Sequence, residues 1–215
     1  MIKDGKVLLQ GTHREILNDM SGKVYSITVK DEREVFDRLN IRNEEIREIN
    51  FEECIFDKCD FTGSNFLESN FEDCTFKECN ISLTKFYHSK LRGVKFVDCK
   101  IVGVDFTKCD RFIIDFEFSK CIIQSCSFAE LKIPKTKFIE CNIFSSDFIN
   151  ADLRGADFSR SSLEESIFEN TNLSKANFID SLNYRISPER NNIKKAKFSM
   201  SEVINLLEEF DIIIK

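Results

Sequence analysis

Large apolar side chains return every five residues along most of this chain: Ile46, Phe51, Phe56, Phe61, Phe66, Phe71, Phe76, Ile81, Phe86, Leu91, Phe96, Ile101 and Phe106. The series resumes two residues late at Phe118 and runs through Ile123, Phe128, Ile133, Phe138, Ile143, Phe148, Leu153, Phe158, Leu163, Phe168, Leu173 and Phe178, with Ile193 and Phe198 again in phase. A period of five belongs to neither regular element. On a helix, five steps of about 100° scatter the residues around the axis, and on a straight strand odd steps alternate faces. The chain must therefore turn a corner once per repeat. The residue two before each large one is small (Cys54, Cys59, Ser64, Ser69, Ala151, Ala156, Ser161), so three residues in strand geometry place the small and large residues inward with a polar one outward between them. Two more residues make the corner. Asn65, Asn70, Asp147, Asp152 and Asp157 are such outward residues.

Composition supports the same slot. Of 22 Phe, with 3 Tyr and no Trp, seventeen fall on the series. Seven Gly and two Pro argue against a sandwich built on glycine and proline turns. From Phe76 to Phe106, and from Phe118 to Phe178, Phe alternates with Ile or Leu, a period of ten that any even number of sides satisfies. Alternation places one aliphatic slot between Phe106 and Phe118, most simply Ile113, so two extra residues bulge out within Thr107 to Phe112. Such a bulge re-aims side chains.

The units Ala151-Asp152-Leu153-Arg154-Gly155 and Ala156-Asp157-Phe158-Ser159-Arg160 resemble the A(D/N)LXX-like unit of the pentapeptide repeat family. The resemblance covers roughly residues 46 to 200. It implies an all-β fold, a right-handed quadrilateral parallel β-helix with four repeats per coil, so that every fourth repeat stacks on the same wall, and about seven coils. The expected organisation is an N-terminal α/β cap over 1–40, the β-helix over 41–198, and a C-terminal helical segment over 199–215.

In the first cap, Thr12-His13-Arg14-Glu15 reads as a capping box opening a short helix, Val24 to Val29 as a strand, and Asp31 to Leu39 as a second helix. At the other end, Ser199-Met200-Ser201-Glu202 reads as a capping box, and Val203, Leu206, Leu207 and Phe210 fall on one α-helical face. Ile212-Ile213-Ile214 reads as a strand. Asn183 and Pro188 occupy large-residue slots by count, which makes 183–190 a loop excursion.

All nine cysteines (Cys54, Cys59, Cys74, Cys79, Cys99, Cys109, Cys121, Cys126 and Cys141) take the small inward slot, which assigns them to core packing as free thiols. Cys59, Cys79 and Cys99 should stack in a ladder. No metal or cofactor is expected, since only His13 and His88 offer imidazole, and no glycine-rich phosphate loop, nucleophile elbow or HExxH helix is present. The chain reads as no enzyme.

The formal charge of −6 disfavours a general nucleic-acid or anionic-membrane binder, and no apolar run approaches the roughly 18 residues of a membrane span. The amino terminus does not read as a signal peptide, which makes the expected location the cytoplasm. Residues 51–80 carry eight acidic and two basic groups, whereas 81–110 carry six basic and three acidic. With four repeats per coil Glu52 and Glu53 stack beside Glu72 and Asp73, a candidate wall for a basic partner. Some members of the resembling family are acidic rods that imitate duplex DNA and protect DNA gyrase from quinolones, so the resemblance implies gyrase as a candidate partner. The competing reading is a structural or scaffolding module for an unidentified protein. Acidic continuity along one wall separates the two. Gyrase-protecting members also dimerise through C-terminal helices, which makes Val203, Ile204, Leu207 and Phe210 candidate homodimer contacts.

Overall fold

The computed structural model describes residues 35–112, 114–210, 212 and 213, together with the backbone of the short strands Ile2–Lys3, Lys6–Val7 and Thr28–Val29. The chain winds into a parallel β-helix. Each coil presents four short walls, and each wall pairs with the one four repeats on: Phe36 with Phe56, Phe56 with Phe76, and Phe76 with Phe96. Eight turns separate Phe36 from Phe198, one more than expected, because the repeat begins before Ile46. Val35–Asp37 is a strand in register with Ile55–Asp57, not the end of a helix. Phe36 and Ile41 are buried and extend the series backwards. The expected helix at Thr12–Glu15 lies outside the described residues, as does the start of the one at Asp31. Thr28–Val29 is a strand, parallel to Asn50–Phe51. Among the described residues no helix is long and apolar enough to cross a membrane.

The core is a set of columns. On the wall of Phe36, nine rings stack from Phe36 to Phe198 at centroid spacings of 4.7 to 5.1 Å. On the opposite wall Phe66, Phe86, Phe106, Phe128, Phe148 and Phe168 form a second column. The remaining walls are mostly Ile and Leu, which accounts for the period of ten. The small slot has a second duty. Its hydroxyl or thiol donates to the carbonyl of the large residue in the preceding coil, as Ser89 does to Phe66 (2.8 Å), Thr171 to Phe148 (2.8 Å) and Cys79 to Phe56 (3.2 Å). The hydroxyls and thiols named here are thus satisfied without water.

The corners explain the outward Asn and Asp. Their side-chain oxygens accept from the backbone N–H two residues on, closing the turn: Asp60 to Thr62, Asp147 to Ile149 and Asp157 to Ser159. The residue after that takes left-handed geometry. Among the described residues twenty-five non-glycine residues and four glycines do so. Gly93 is the position where a side chain fits worst, since φ is +63° and a Cβ would lie 2.1 Å from Asp73 Oδ1. Gly93→Ala is expected to lower the unfolding free energy by about 1–2 kcal/mol, read from the shift in denaturant midpoint.

The phase break falls where expected, with a different internal layout. A single 3₁₀ turn, Phe106–Lys108, precedes a turn at Arg111 and Phe112, whose side chain is 97% exposed. Leu91 pairs with Ile114, three positions beyond the regular register, and a bulge between Leu91 and Val94 recovers one of them. Ile113, the expected slot, lies outside the described residues. Half-buried Ile114 stands opposite Leu91, and Phe116 supplies the buried side chain opposite Val94.

The expected loop at 183–190 is also reshaped. Tyr184 and Ile186 turn inward and are buried, leaving only Pro188 to Arg190 as a turn, because Phe178 must still meet Phe198 in register. At the C-terminus, Val203–Phe210 is a 3₁₀ helix, not an α-helix. Ser199 does not cap it in the expected box: its hydroxyl bonds the Asp180 N–H (2.7 Å) and carboxylate (3.2 Å), closing the last coil. Ile212 and Ile213 are outside any strand and exposed, and Ile214 lies outside the described residues.

Candidate interaction surface

A β-helix offers flat walls, so its recognition groups are the outward residues that stacking brings into columns. On the wall that carries Asn50 and Phe51, the register aligns Glu52 with Glu72, and the Glu53 N–H donates to the Glu72 carbonyl at 2.9 Å. The four candidate carboxylates Glu52, Glu53, Glu72 and Asp73 therefore share one wall over two coils. They are not equivalent. Glu72 holds Arg92 of the next coil at 2.8 Å, and Asp73 leans over Gly93, while Glu52 and Glu53 project into solvent without an ion pair among the described residues.

Beyond Arg92 the wall changes sign. Its outward positions in the last four coils carry Lys132, Lys135, Arg154, Lys175, Lys194 and Lys195 against one carboxylate, Asp152, which Arg154 holds at 2.8 Å. The acid is thus not continuous along this wall. Consecutive stretches of sequence hide the change, because a wall samples only one repeat in every four. The wall of Ile46 and Phe66 keeps an acidic excess for most of its length, with Glu45, Glu48, Glu68, Asp105, Glu130, Asp147 and Glu169 against Arg47, Lys85, Lys108 and, in the last coil, Arg185; Glu45, Glu130 and Glu169 hold Arg47, Arg111 and Arg190. The wall of Phe61 and Ile81 is nearly uncharged in its middle and exposes Leu83, Ile122 and Leu182 by about half.

At the C-terminal end the 3₁₀ geometry redistributes the four candidate dimer contacts. Three residues per turn place Ile204, Leu207 and Phe210 on one exposed ridge, at 45%, 39% and 44%, while Val203 turns with buried Leu206 onto the last coil. Between this helix and the last coil lies a groove of about 330 Å³ lined by Glu164, Glu165, Asn183, Arg185, Asn205 and Glu208. The Tyr184 hydroxyl is buried there without a hydrogen-bond partner among the described residues, and burial pushes its pKa up to about 12.

All nine cysteines are buried thiols, and the ladder is longer than Cys59, Cys79 and Cys99, continuing through Cys121 and Cys141. Burial pushes the Cys126 pKa up to about 11 and drives that of Cys109 upward.

Comparison with known proteins agrees with this architecture. The family model described as "Pentapeptide repeat region" matches residues 49–116 and 111–178. No curated protein matches the chain. A trypsin-treated variant of QnrB1, described as a plasmid-mediated fluoroquinolone resistance protein, is similar with a TM-score of 0.68 at 19% identity, over 85% of this chain and 95% of its own. A second trypsin-treated QnrB1 variant gives 0.68 at 18% identity, over 87% and 99%. At these identities the likeness is one of fold.

Proposed function

Since the chain belongs to the pentapeptide repeat family, we propose that it is a non-catalytic protein-binding rod, with DNA gyrase as the first candidate partner. The observation that carries this reading is the wall of Ile46 and Phe66, where carboxylates from Glu45 to Glu169 recur on a flat, hydrogen-bonded surface. A row of acids on a rigid rod presents to a basic protein groove what a nucleic-acid backbone presents. Likeness of fold to QnrB1 is consistent with a gyrase partner. The Glu52, Glu53, Glu72 and Asp73 wall supports it less, because it turns basic. The ridge of Ile204, Leu207 and Phe210 is the contact through which two rods would join end to end, doubling the length presented to a two-fold partner.

A gyrase supercoiling assay with and without a quinolone tests the partner, and light scattering of wild type beside Phe210→Asp tests the end contact. Restored supercoiling in the presence of drug, lost on charge reversal at Glu68 and Glu130, is expected. No effect of micromolar protein on gyrase moves the reading to a scaffold for another protein, whose acidic-wall dependence the same variants read in a pull-down.

A further inference from the structure

The sign change along one wall has an order to it. Past the strand Thr28–Val29, which pairs with Asn50–Phe51, the wall has eight further segments, whose large residues are Phe51, Phe71, Leu91, Ile114, Ile133, Leu153, Leu173 and Ile193. Coils rise about 4.8 Å each, so the wall is about 34 Å long. When these eight are compared from opposite ends, first with eighth and second with seventh, the outward charges are complementary at most positions, the exceptions being Glu72 opposite Ser174, Asp115 opposite Pro134 and Lys135 opposite Phe116. Glu52 meets Lys194, and Glu53 meets Lys195. Asp73 meets Lys175. Lys90 meets Asp152, and Asp110 meets Lys132. Asn50 and Asn70 meet Asn192 and Asn172, and Gly93 meets Gly155. The one like-charged match, Arg92 with Arg154, is between two guanidinium groups that each already hold a carboxylate of their own chain at 2.8 Å.

We infer that this wall is a self-recognition surface, on which a second copy of the chain packs face to face and antiparallel, about a two-fold axis that lies along the strand direction between the fourth and fifth segments. Such an axis reverses the order of coils and keeps the position within each segment, so the matches above are the contacts it creates, each twice. Two-fold pairing closes on itself and needs no second surface. It also accounts for three features at once. Among the described residues Lys132, Lys135, Lys175, Lys194 and Lys195 make no ion pair within the chain, although most arginines do. Like charges stacked in neighbouring strands repel, and the acids at one end and lysines at the other each relieve the other's repulsion. Phe112, 97% exposed, lies in the fourth segment beside the axis, where the two copies of this ring come within reach of each other.

A polyanion bound to the lysines would answer only the basic half of the wall and leave Glu52, Glu53 and Asp73 without a role. The wall offers roughly 500 Å² per copy, about 1,000 Å² in all, at the lower edge of stable interfaces. The pairing is therefore expected to be weak and strongly dependent on salt.

Charge exchange tests it, in a Phe210→Asp background that removes the end contact. At about 0.01 M ionic strength, where the Debye length is ~30 Å, sedimentation should show a dimer that dissociates near 1 M, where it is ~3 Å. Lys175→Glu with Lys194→Glu and Lys195→Glu should be monomeric at low salt, as should Glu52→Lys with Glu53→Lys and Asp73→Lys. An equimolar mixture of the two triple variants should restore the dimer, because each supplies the charge the other lacks. Circular dichroism checks that each is folded, and the single exchange Glu53→Lys mixed with Lys195→Glu serves if a triple variant is not. A background protein monomeric at low salt, a mixture that stays monomeric, or growth beyond a dimer into head-to-tail filaments overturns the inference. Salt-sensitive binding of a fluorescent oligonucleotide, lost in the lysine variant without any self-association, would assign the basic half to a nucleic acid instead.

Discussion

Phe128→Ala is expected to lower the unfolding free energy by about 3–5 kcal/mol, the transfer loss of a buried ring plus the cavity it leaves. Phe128 has no exposed surface. Its ring stacks on Phe106 at 4.9 Å and on Phe148 at 5.0 Å, and meets Phe116, Phe118 and Phe138 edge-on. Each such ring pair adds about 0.5–1.5 kcal/mol beyond its area. The site cannot collapse to recover this, because ladder hydrogen bonds above and below fix the spacing of the coils: Phe128 N–H to the Asp147 carbonyl at 2.7 Å, and Ser127 N–H to the Val104 carbonyl at 3.0 Å. Denaturant midpoints at unchanged slope measure the loss. Met200→Ala, which removes a side chain that is 89% exposed, is the control and should stay within about 0.5 kcal/mol. A loss below about 1 kcal/mol at Phe128 would mean that the column does not bear on stability as its geometry requires.

The thiols are expected to resist both reagent and alkali until the fold opens. A thiol reacts as thiolate, and here all nine are buried, with 0–4% of each residue exposed. Labelling in native reduced protein should be at least about a hundredfold slower than in denaturant, since it must await local opening. Rapid labelling of most of the nine would contradict the packing. The same burial has a consequence for pH. Cys126 is pushed up to about 11 from an ordinary value near 8.5. A group whose folded pKa is raised lends its stability in full below the unfolded pKa and loses it as pH climbs through the folded one. The midpoint should therefore hold steady up to about pH 8.5 and fall between there and pH 11. Tyr184, raised to about 12, extends the fall at still higher pH. Circular dichroism melts at pH 7 and pH 10.5 check this, and a midpoint that rose at the higher pH would contradict the buried neutral thiols.

The fold was legible because each inward slot is an independent vote for the same geometry. A Phe every five residues, preceded at two by a small residue, admits few chain paths. The slots that mislead are those where one neighbour outvotes the period. Phe36 sits among charges at Asp31 to Arg38 that read as helical, yet its ring stacks on Phe56. Tyr184 is one residue out of count and is recruited because its ring packs on Phe178 and Phe198. The helix at Val203–Phe210 carries α-spaced apolar residues, but an eight-residue segment against the end of a coil winds tighter. The surface was less legible than the core. Glu52, Glu53, Glu72 and Asp73 stack as the four-repeat coil requires, while the lysines sharing their wall are scattered through the second half of the sequence, where no contiguous window gathers them.

The left-handed corners have a consequence for how the rod comes apart. Twenty-five non-glycine residues hold a backbone geometry that costs each of them about 1 kcal/mol or more in isolation. Most of them are fixed by a hydrogen bond from their N–H to the neighbouring coil, as Glu53 is by Glu72, Glu140 by Ser159 and Lys175 by Lys194. A coil stripped of its neighbour loses those bonds and springs open, exposing the next in turn. Fraying therefore proceeds inward from the tips, one coil at a time, and a strong coil in the middle cannot be bypassed. The indivisible unit of the molecule is then not the short motif that the chain repeats but two coils in contact, the smallest fragment in which a left-handed corner has something to hold it.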